Sequence, residues 1–309
     1  MKATTLLLPL ILALTMLPPN AGASEKSGKK LMVIASIPDF ADMAREIGGA
    51  HVTVESMANG TEDVHAVAVR PSLAAKLARA DVLIEMGLEN EHAWLPALVE
   101  VCSNQKIRSG RQGDIIASEG VVPKDVPTNV GRSQGEQHPA GNPHVNLGPD
   151  MGRLMAQNIA KGLTANAPEY KADFEANLAK YLEKLDVKEK EWREAAAKLK
   201  GVKFVSHHPD MAYFADFLGL EEVGTVEPKP GIPPSSSHTA ALIEEMKTQG
   251  VKVIVREPQY SEKLANEIAS KTGAKVVKLT VMVGGVPEAK TWIDMIDYNI
   301  QAMLEAIKG

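Results

Sequence analysis

The feature that most constrains the fold is an alternation of short apolar strands with helices, which occurs twice and is interrupted by one long helical segment. The predicted strands lie at 31–36, 52–57, 82–86, 202–206, 222–226, 251–255 and 275–279. The predicted helices lie at 38–49, 72–80, 239–249, 261–272 and 292–307. Strands connected by helices form parallel sheets covered by those helices. The sequence therefore predicts an α/β fold with two similar lobes, each a parallel sheet flanked by helices.

The segment between the two halves has almost only helical patterning, with a break at Ala167-Pro168. Residues 169–200 contain no Gly or Pro and are rich in strong helix formers. Roughly 30 helical residues extend about 45 Å. We therefore predict a long rigid backbone helix at 166–200 that joins an N-terminal lobe at 24–165 to a C-terminal lobe at 201–309.

The N-terminus has the pattern of a secretory signal peptide over residues 1–23. Lys2 precedes an apolar run from Leu6 to Leu17, and Ala21-Gly22-Ala23 is a small-x-small cleavage site. The run is shorter than the ~20 residues that a membrane-spanning helix needs. Because no Cys stands directly after the cleavage site, we expect a periplasmic protein without a lipid anchor.

Charge and cysteine content narrow the classes of partner. The chain has 34 basic and 39 acidic residues, a net charge of −5, which argues against nucleic acid or an anionic membrane as the main partner. With one cysteine, Cys102, no internal disulfide can form, so stability depends on packed cores. We expect a monomer.

Several of the eight histidines lie in loops next to predicted strands. Ligands of parallel sheets bind at the carboxyl ends of strands, and three imidazoles can hold zinc with one position open. His65, His144 and His208 are candidates, but they are separated by 79 and 64 residues, unlike a compact metal motif. From spacing alone, surface or capping histidines are the favoured interpretation.

Four motifs in order change this interpretation. Residues 60–72, with Gly60, His65 and Pro71-Ser72, resemble the metal-binding loop of the zinc/manganese-type (cluster A-I) solute-binding proteins of ABC transporters. Residues 141–149 are similar to that family's Pro-His-x-Trp-Leu-Asp-Pro motif, and residues 204–214 to its strand-His-x-x-x-x-Tyr-Phe segment. Residues 257–261 match its Glu-Pro-Gln-Phe-Ser element. The similarity covers nearly the whole chain after the leader.

The resemblance implies metal ligands at His65, His144 and His208. Tyr213-Phe214 sets the register that selects His208, and the neighbouring His207 stays an alternative. It also implies capture of a divalent cation and its delivery to an import permease in the membrane.

The chain departs from the family pattern at three places. Asn146 and Gly148 replace the Trp and Asp of the second motif, which puts the residues around the ligands in doubt. Thr280 stands where the family often has a ligating Asp. The fourth ligand is therefore predicted to be water or a carboxylate from elsewhere, with three candidates: Glu62, Asp63 and Glu257.

The third departure is a short loop at 127–143, in which His138 is the only histidine of a segment that is rich in them in many zinc-binding relatives. We expect His138 to be exposed, with transfer of metal inward as the alternative. The remaining histidines match no ligand position, and we expect them to be structural or solvated, with His238 capping a helix: His51, His92 and His238.

Three nitrogens without an Asp favour Zn²⁺ over Mn²⁺, which prefers oxygen ligands. A manganese- or iron-binding protein is the alternative, and a zinc hydrolase or a surface adhesin is a more distant one. We expect no enzymatic activity, because no general base stands at recognisable spacing. Since histidine binds metal only when deprotonated, we expect affinity to fall steeply below about pH 6, near the ordinary His pKa of ~6.5.

Overall fold

The computed structural model describes Met1, residues 29–129, Gly131, Gly135 and residues 138–308. The predicted signal peptide therefore lies, apart from Met1, outside the described residues. Within the described part of the chain, no helix combines the length and the apolar character needed to cross a bilayer.

In the described residues, eight strands form two four-stranded parallel sheets with the same topology. The first sheet has the order β2-β1-β3-β4, with β1 Leu31–Ala35, β2 Val52–Ser56, β3 Val82–Glu85 and β4 Asp114–Ile116. The second has the order β6-β5-β7-β8, with β5 Lys203–Ser206, β6 Glu221–Thr225, β7 Val253–Arg256 and β8 Lys275–Lys278. The prediction of two similar α/β lobes is thus confirmed.

Nine helices lie around these sheets in the described residues. They are α1 Pro38–Gly48, α2 Pro71–Ala78, α3 Leu95–Val101, α4 Gly152–Asn166, α5 Lys171–Leu199, α6 Ala212–Leu218, α7 Ser236–Gln249, α8 Glu262–Thr272 and α9 Trp292–Ile307. In each sheet the next two strands of the chain lie on opposite sides of the first strand. In the first sheet β2 and β3 flank β1, and in the second sheet β6 and β7 flank β5. Such a reversal opens a crevice at the carboxyl ends of the strands, where α/β proteins bind ligands.

The predicted backbone helix is α5, which spans 29 residues. It buries one stripe of side chains at intervals of three, four or seven residues, the spacing of a single helix face: Phe174, Tyr181, Leu185, Trp192, Ala195 and Leu199. This stripe packs on α1 and α4 of the N-terminal half and on α6 and α9 of the C-terminal half. The helix therefore links the two lobes by shared core packing.

The C-terminal segment returns to the first lobe. Trp292, at the start of α9, belongs to the same hydrophobic core as β1, and its ring meets that of Trp192 edge to face with centroids 6.0 Å apart. A second, smaller core lies under β5, α7 and α8. The boundaries at residues 165 and 200 stay a prediction, and α9 shows that the second lobe is not a separate packing unit.

A close backbone contact joins the loop after β2 to the loop after β8. A Cβ atom on Gly60 would lie 2.3 Å from the backbone of Gly284 and Gly285, so only glycine fits there. The loop that carries His65 is therefore seated directly on the C-terminal half.

Candidate metal centre

His65 lies in the loop between β2 and α2, with 4% of its surface exposed. Its backbone N–H donates to Asp63 Oδ1 over 2.9 Å, which fixes the turn. Its Nδ1 is 3.1 Å from the Asn90 carbonyl oxygen, which can only accept. We therefore assign the proton to Nδ1, and the lone pair of His65 lies on Nε2.

His144 precedes a short 3₁₀ turn at Val145–Leu147 and is 6% exposed. Asn142 Oδ1 accepts from the backbone N–H of His144 over 3.1 Å and from its Nδ1 over 2.9 Å. The side chain of Asn142 is held in turn by the Pro209 carbonyl oxygen, 2.9 Å from its Nδ2. The lone pair of His144 thus also lies on Nε2.

His208 is the second residue after β5 and is 5% exposed. Its Nδ1 lies 2.9 Å from Glu227 Oε2, a carboxylate that also accepts from the Gly231 N–H over 3.1 Å. A carboxylate behind a ligating imidazole fixes its tautomer and raises its basicity. Glu227 was not among the site residues predicted from the sequence. Its position just after β6, at the carboxyl end of a strand, is where a residue of the site is expected.

These side chains converge across the two lobes. One ligand nitrogen from each of His65, His144 and His208 lies within 4.8 Å of the other two, and the Nε2 atoms of His65 and His144 are 2.9 Å apart. Nitrogens that share a tetrahedral zinc at ~2.05 Å are separated by about 3.3 Å. Since each Nδ1 proton is committed elsewhere, two lone pairs face each other, an arrangement that a cation stabilises. The structure places the three predicted ligands together, and their binding of metal stays a prediction.

Burial keeps the imidazoles of His65 and His144 neutral. It lowers the pKa of His65 to about 3, with a further contribution from the neighbouring His208. It also lowers the pKa of His144 well below the ordinary value, helped by His65. A proton is thus a poor substitute for a metal cation at this position.

We expect zinc affinity to fall by no more than about tenfold per pH unit between about pH 7 and about pH 5. The depressed pKa values mean that His65 and His144 stay deprotonated as the pH falls, so at most one ligand competes with protons. The structure thus predicts a shallower decline than the steep loss below pH 6 expected from the sequence. Chelator competition at several pH values measures how the zinc affinity depends on pH. A slope that corresponds to two or three protons displaced per zinc ion would contradict the assignment.

The candidates for a fourth ligand occupy different places. Asp63 lines the small cavity between the histidines. Glu62 is turned away, because it pairs with Arg70 over 3.2 Å. Glu257 is fully buried, and its carboxylate accepts no hydrogen bond from the described residues. The ring of His207 stacks on Tyr260 with centroids 3.9 Å apart, outside the histidine cluster.

The departures from the family motifs have a structural explanation. The Thr280 hydroxyl donates to the Met282 carbonyl oxygen over 2.8 Å, so it points into its own loop. Asn146 Nδ2 donates to Asp39 Oδ1 over 3.0 Å and to the Val281 carbonyl oxygen over 2.8 Å. Burial raises the pKa of Asp39 to about 7. Asn146 thus links the His144 turn to α1 and to the loop after β8.

His138 contradicts the expectation of an exposed side chain. It is 9% exposed, and its ring centroid lies 4.9 Å from that of His65. Its Nδ1 lies 3.1 Å from the Glu89 carbonyl oxygen, and burial lowers its pKa to about 4. The chain is anchored just after His138, because the backbone N–H of Asn142 donates to the Lys124 carbonyl oxygen over 2.7 Å.

Three further described histidines, His51, His92 and His238, do not belong to the group of three converging histidines, although the ring of His92 meets that of His138 with centroids 5.4 Å apart. His51 Nε2 is 2.7 Å from Asp173 Oδ2, and the exposed His92 is held by the Glu89 carbonyl oxygen. His238 does not cap α7, because Ser235 Oγ accepts the His238 backbone N–H over 3.2 Å and fills that role.

The cavity between the histidines has a volume of about 20 Å³, enough for one water-sized body. A larger cavity of about 330 Å³ adjoins it, and His144 and His208 line both. The inner cavity suits an ion and excludes an organic substrate, whereas the outer one offers a route for a hydrated ion.

Comparison with known proteins agrees with this geometry. A family model described as "ZnuA: Zinc-uptake complex component A periplasmic" matches residues 33–306. The "Zinc-binding lipoprotein AdcA" of Streptococcus pneumoniae is 25% identical over 98% of this chain, which spans only 60% of that relative's length. The "High-affinity zinc uptake system protein ZnuA" of Bacillus subtilis is 24% identical over 93% of this chain and 90% of its own.

A solved structure also matches the whole arrangement. The crystal structure titled "138-173 ZnuA deletion mutant plus zinc bound" superposes with a TM-score of 0.74 and 26% identity, covering 90% of this chain and 97% of the other. Since the family model covers both sheets, the backbone helix and all three clustered histidines, the chain belongs to the family of periplasmic zinc-uptake complex component A proteins.

Proposed function

We propose that this protein binds a divalent metal cation, zinc in the first place, outside the cytoplasm and delivers it to the membrane permease of an ABC importer. The observation that carries the proposal is the convergence of three buried Nε2 lone pairs, from His65, His144 and His208, on a cavity of about 20 Å³. Relatives named for zinc binding and zinc uptake support the choice of ion.

Zinc is favoured over manganese or iron by the donor set. Three imidazoles form a nitrogen-rich site, whereas Mn²⁺ prefers carboxylate, carbonyl and water oxygen. Thr280, at the position where a ligating Asp is frequent, uses its hydroxyl within its own loop. Among the carboxylates foreseen as ligands, Asp63 is the best placed to shift this preference.

Four further proposals accompany the transport role. Residues 1–23 act as a cleaved leader, and the mature protein is monomeric and carries no lipid anchor. The protein is not an enzyme, since the cavity leaves no room for an ester or phosphate substrate beside the metal. A zinc hydrolase is the alternative if the outer cavity of about 330 Å³ accepts a substrate.

Titration of the metal-free, tag-free protein with zinc in the presence of a competing chelator tests the proposal. We expect one zinc ion per chain, weaker binding of manganese, and no turnover of model esters by the zinc-loaded protein. Failure of the metal-free protein to bind zinc would refute the proposed function, and turnover would favour the hydrolase.

A further inference from the structure

The amide of Asn142 determines which ring nitrogen of His144 carries the proton. Its Oδ1 lies 3.1 Å from the His144 backbone nitrogen, which can only donate, and its Nδ2 lies 2.9 Å from the Pro209 carbonyl oxygen, which can only accept. These two contacts fix the orientation of the amide. Because Oδ1 also faces His144 Nδ1 over 2.9 Å, Nδ1 donates and the lone pair stays on Nε2.

The backbone of Asn142 is held by Tyr213, which lies in the other half of the chain, near the start of α6. The Tyr213 hydroxyl donates to the Asn142 carbonyl oxygen over 2.9 Å and accepts from the Lys124 backbone N–H over 3.2 Å. Asn142 and Lys124 are themselves joined, because the Asn142 N–H donates to the Lys124 carbonyl oxygen over 2.7 Å. One hydroxyl of the C-terminal half thus holds two segments of the N-terminal half.

Packing around Tyr213 leaves its side chain little freedom. It is 1% exposed, and a Cβ atom on Gly148 would lie 3.0 Å from Tyr213 Cβ. Lys124 Nζ lies 5.8 Å from the centroid of the tyrosine ring and pairs with Asp216 over 2.7 Å. The glycine at position 148, which is one of the departures from the family motif, therefore lets α6 approach the turn after His144 closely.

The link between Tyr213 and Asn142 connects two of the predicted ligands. Pro209, whose carbonyl group orients the Asn142 amide, directly follows His208, and the same amide fixes His144. We propose that Tyr213 is a positioning residue for metal binding, which acts on His144 through Asn142. It couples the geometry of His144 to the segment of the other half that carries His208.

The role of Tyr213 rests on the proposed function and adds a dependence of metal affinity on the contact between the two halves. The bonds from Tyr213 to Asn142 and from Asn142 to Pro209 join residues of different halves, so they exist only while these segments are in contact. Separation of the segments frees the Asn142 amide and with it the His144 ring, which lowers the affinity for the cation. Residues that hold a metal ligand from outside typically change metal affinity by about 10- to 100-fold when replaced.

Tyr213→Phe tests this role, because it keeps the buried ring and removes only the hydroxyl. We expect zinc binding to weaken by about tenfold in chelator competition on the metal-free protein. Tyr298→Phe is the matched control, since the Tyr298 hydroxyl also donates to a backbone carbonyl oxygen, that of Lys278, over 3.1 Å, and lines neither cavity at the histidines. The control should bind zinc like the wild type, and the melting temperature of each metal-free variant reports folding.

Two further measurements separate positioning of His144 from a general loss of stability. Nitrogen-15 NMR of the metal-free protein reports which nitrogen of His144 carries the proton. We expect one form, protonated at Nδ1, in the wild type and a mixture of both forms in Tyr213→Phe. In the background of Asn142→Ala, Tyr213→Phe is expected to lower the affinity by less than about threefold, because the amide through which Tyr213 acts is absent.

The outcomes distinguish the role of Tyr213 from metal binding itself. Weaker zinc binding together with mixed protonation of His144 in Tyr213→Phe supports the inference. Wild-type affinity, unchanged protonation of His144, or additive effects of the two substitutions overturns it and leaves metal binding intact. Asn142→Ala, which breaks the same link at its second member, keeps the test open if Tyr213→Phe does not fold. Absence of zinc binding in the wild type overturns the proposed function as well.

Discussion

Replacing His144 with alanine is expected to weaken zinc binding by about a thousandfold, which corresponds to about 4 kcal/mol. Structural zinc sites with four ligands gain about 10–16 kcal/mol, so one protein ligand contributes a few kcal/mol. His144 is buried, and its Nε2 faces that of His65 over 2.9 Å. Among the described residues, His144 supplies one of the three nitrogens of the cluster, so its loss leaves two.

The measurement is chelator competition on the metal-free protein, with the melting temperature as a check of folding. His238→Ala is the matched control, because His238 is also partly buried and hydrogen-bonded, with Nε2 3.0 Å from the Thr225 carbonyl oxygen, but lies outside the cluster. The control should bind zinc like the wild type. Equal affinity of His144→Ala and wild type would remove His144 from the site.

The elements that the sequence predicted well are those with long or sharply bounded patterns. The strand β1 and helix α1 begin and end within one residue of the prediction, and α9 matches it at both ends. Proline at the start of α1 and the left-handed glycines after α7 and α8, Gly250 and Gly273, mark these bounds chemically. Local chemistry was sufficient wherever it fixed both ends of an element.

Three short elements, β4, α3 and α6, were not predicted, because tertiary contacts determine them. The strand β4 has three residues and exists by pairing with β3, and the seven-residue helices α3 and α6 are too short to show a periodic pattern. An element of this length gains little stability from its own hydrogen bonds. Such segments form only where the rest of the fold holds them.

The candidate site shows the same division. The three clustered histidines were identified by motif resemblance, because neither spacing nor composition brings residues 65, 144 and 208 together. Their supporting partners were missed: Asn142 lies next to its histidine in sequence, but Asn90 and Glu227 come from other loops. His138 was misjudged for a related reason, since only the tertiary fold presses its loop onto His65.

The interface of the two lobes explains why the site depends on distant packing. Asp39, in α1, accepts from Asn146 and from the Val283 N–H over 3.0 Å each, so one carboxylate ties the His144 turn to the C-terminal half. Trp292 supports the same turn from below, because its Nε1–H donates to the Asn146 carbonyl oxygen over 2.7 Å. A change at Trp292 therefore acts on both the core and the geometry of the site.

Replacing Trp292 with alanine is expected to destabilise the metal-free protein by about 4 kcal/mol and to lower its melting temperature by roughly 10 °C. The side chain is fully buried, and its ring fits so closely against Gly152 that a Cβ atom there would lie 2.4 Å away. The substitution leaves a cavity beside Trp192 and removes the donor to the buried Asn146 carbonyl. Scanning calorimetry of the metal-free protein measures the shift.

Trp292→Phe keeps a six-membered ring in the core but removes the rest of the indole with its N–H, so it leaves a smaller cavity than alanine and the same unpaired acceptor. We expect it to lower the free energy of unfolding by about 1–3 kcal/mol, the penalty of an unpaired buried acceptor. We also expect the affinity for zinc to fall by more than this loss of stability accounts for. A smaller decrease in melting temperature for Trp292→Ala than for Trp292→Phe would mean that α9 is not part of the shared core. Such a result would contradict the packing of α9 in the core that it shares with β1.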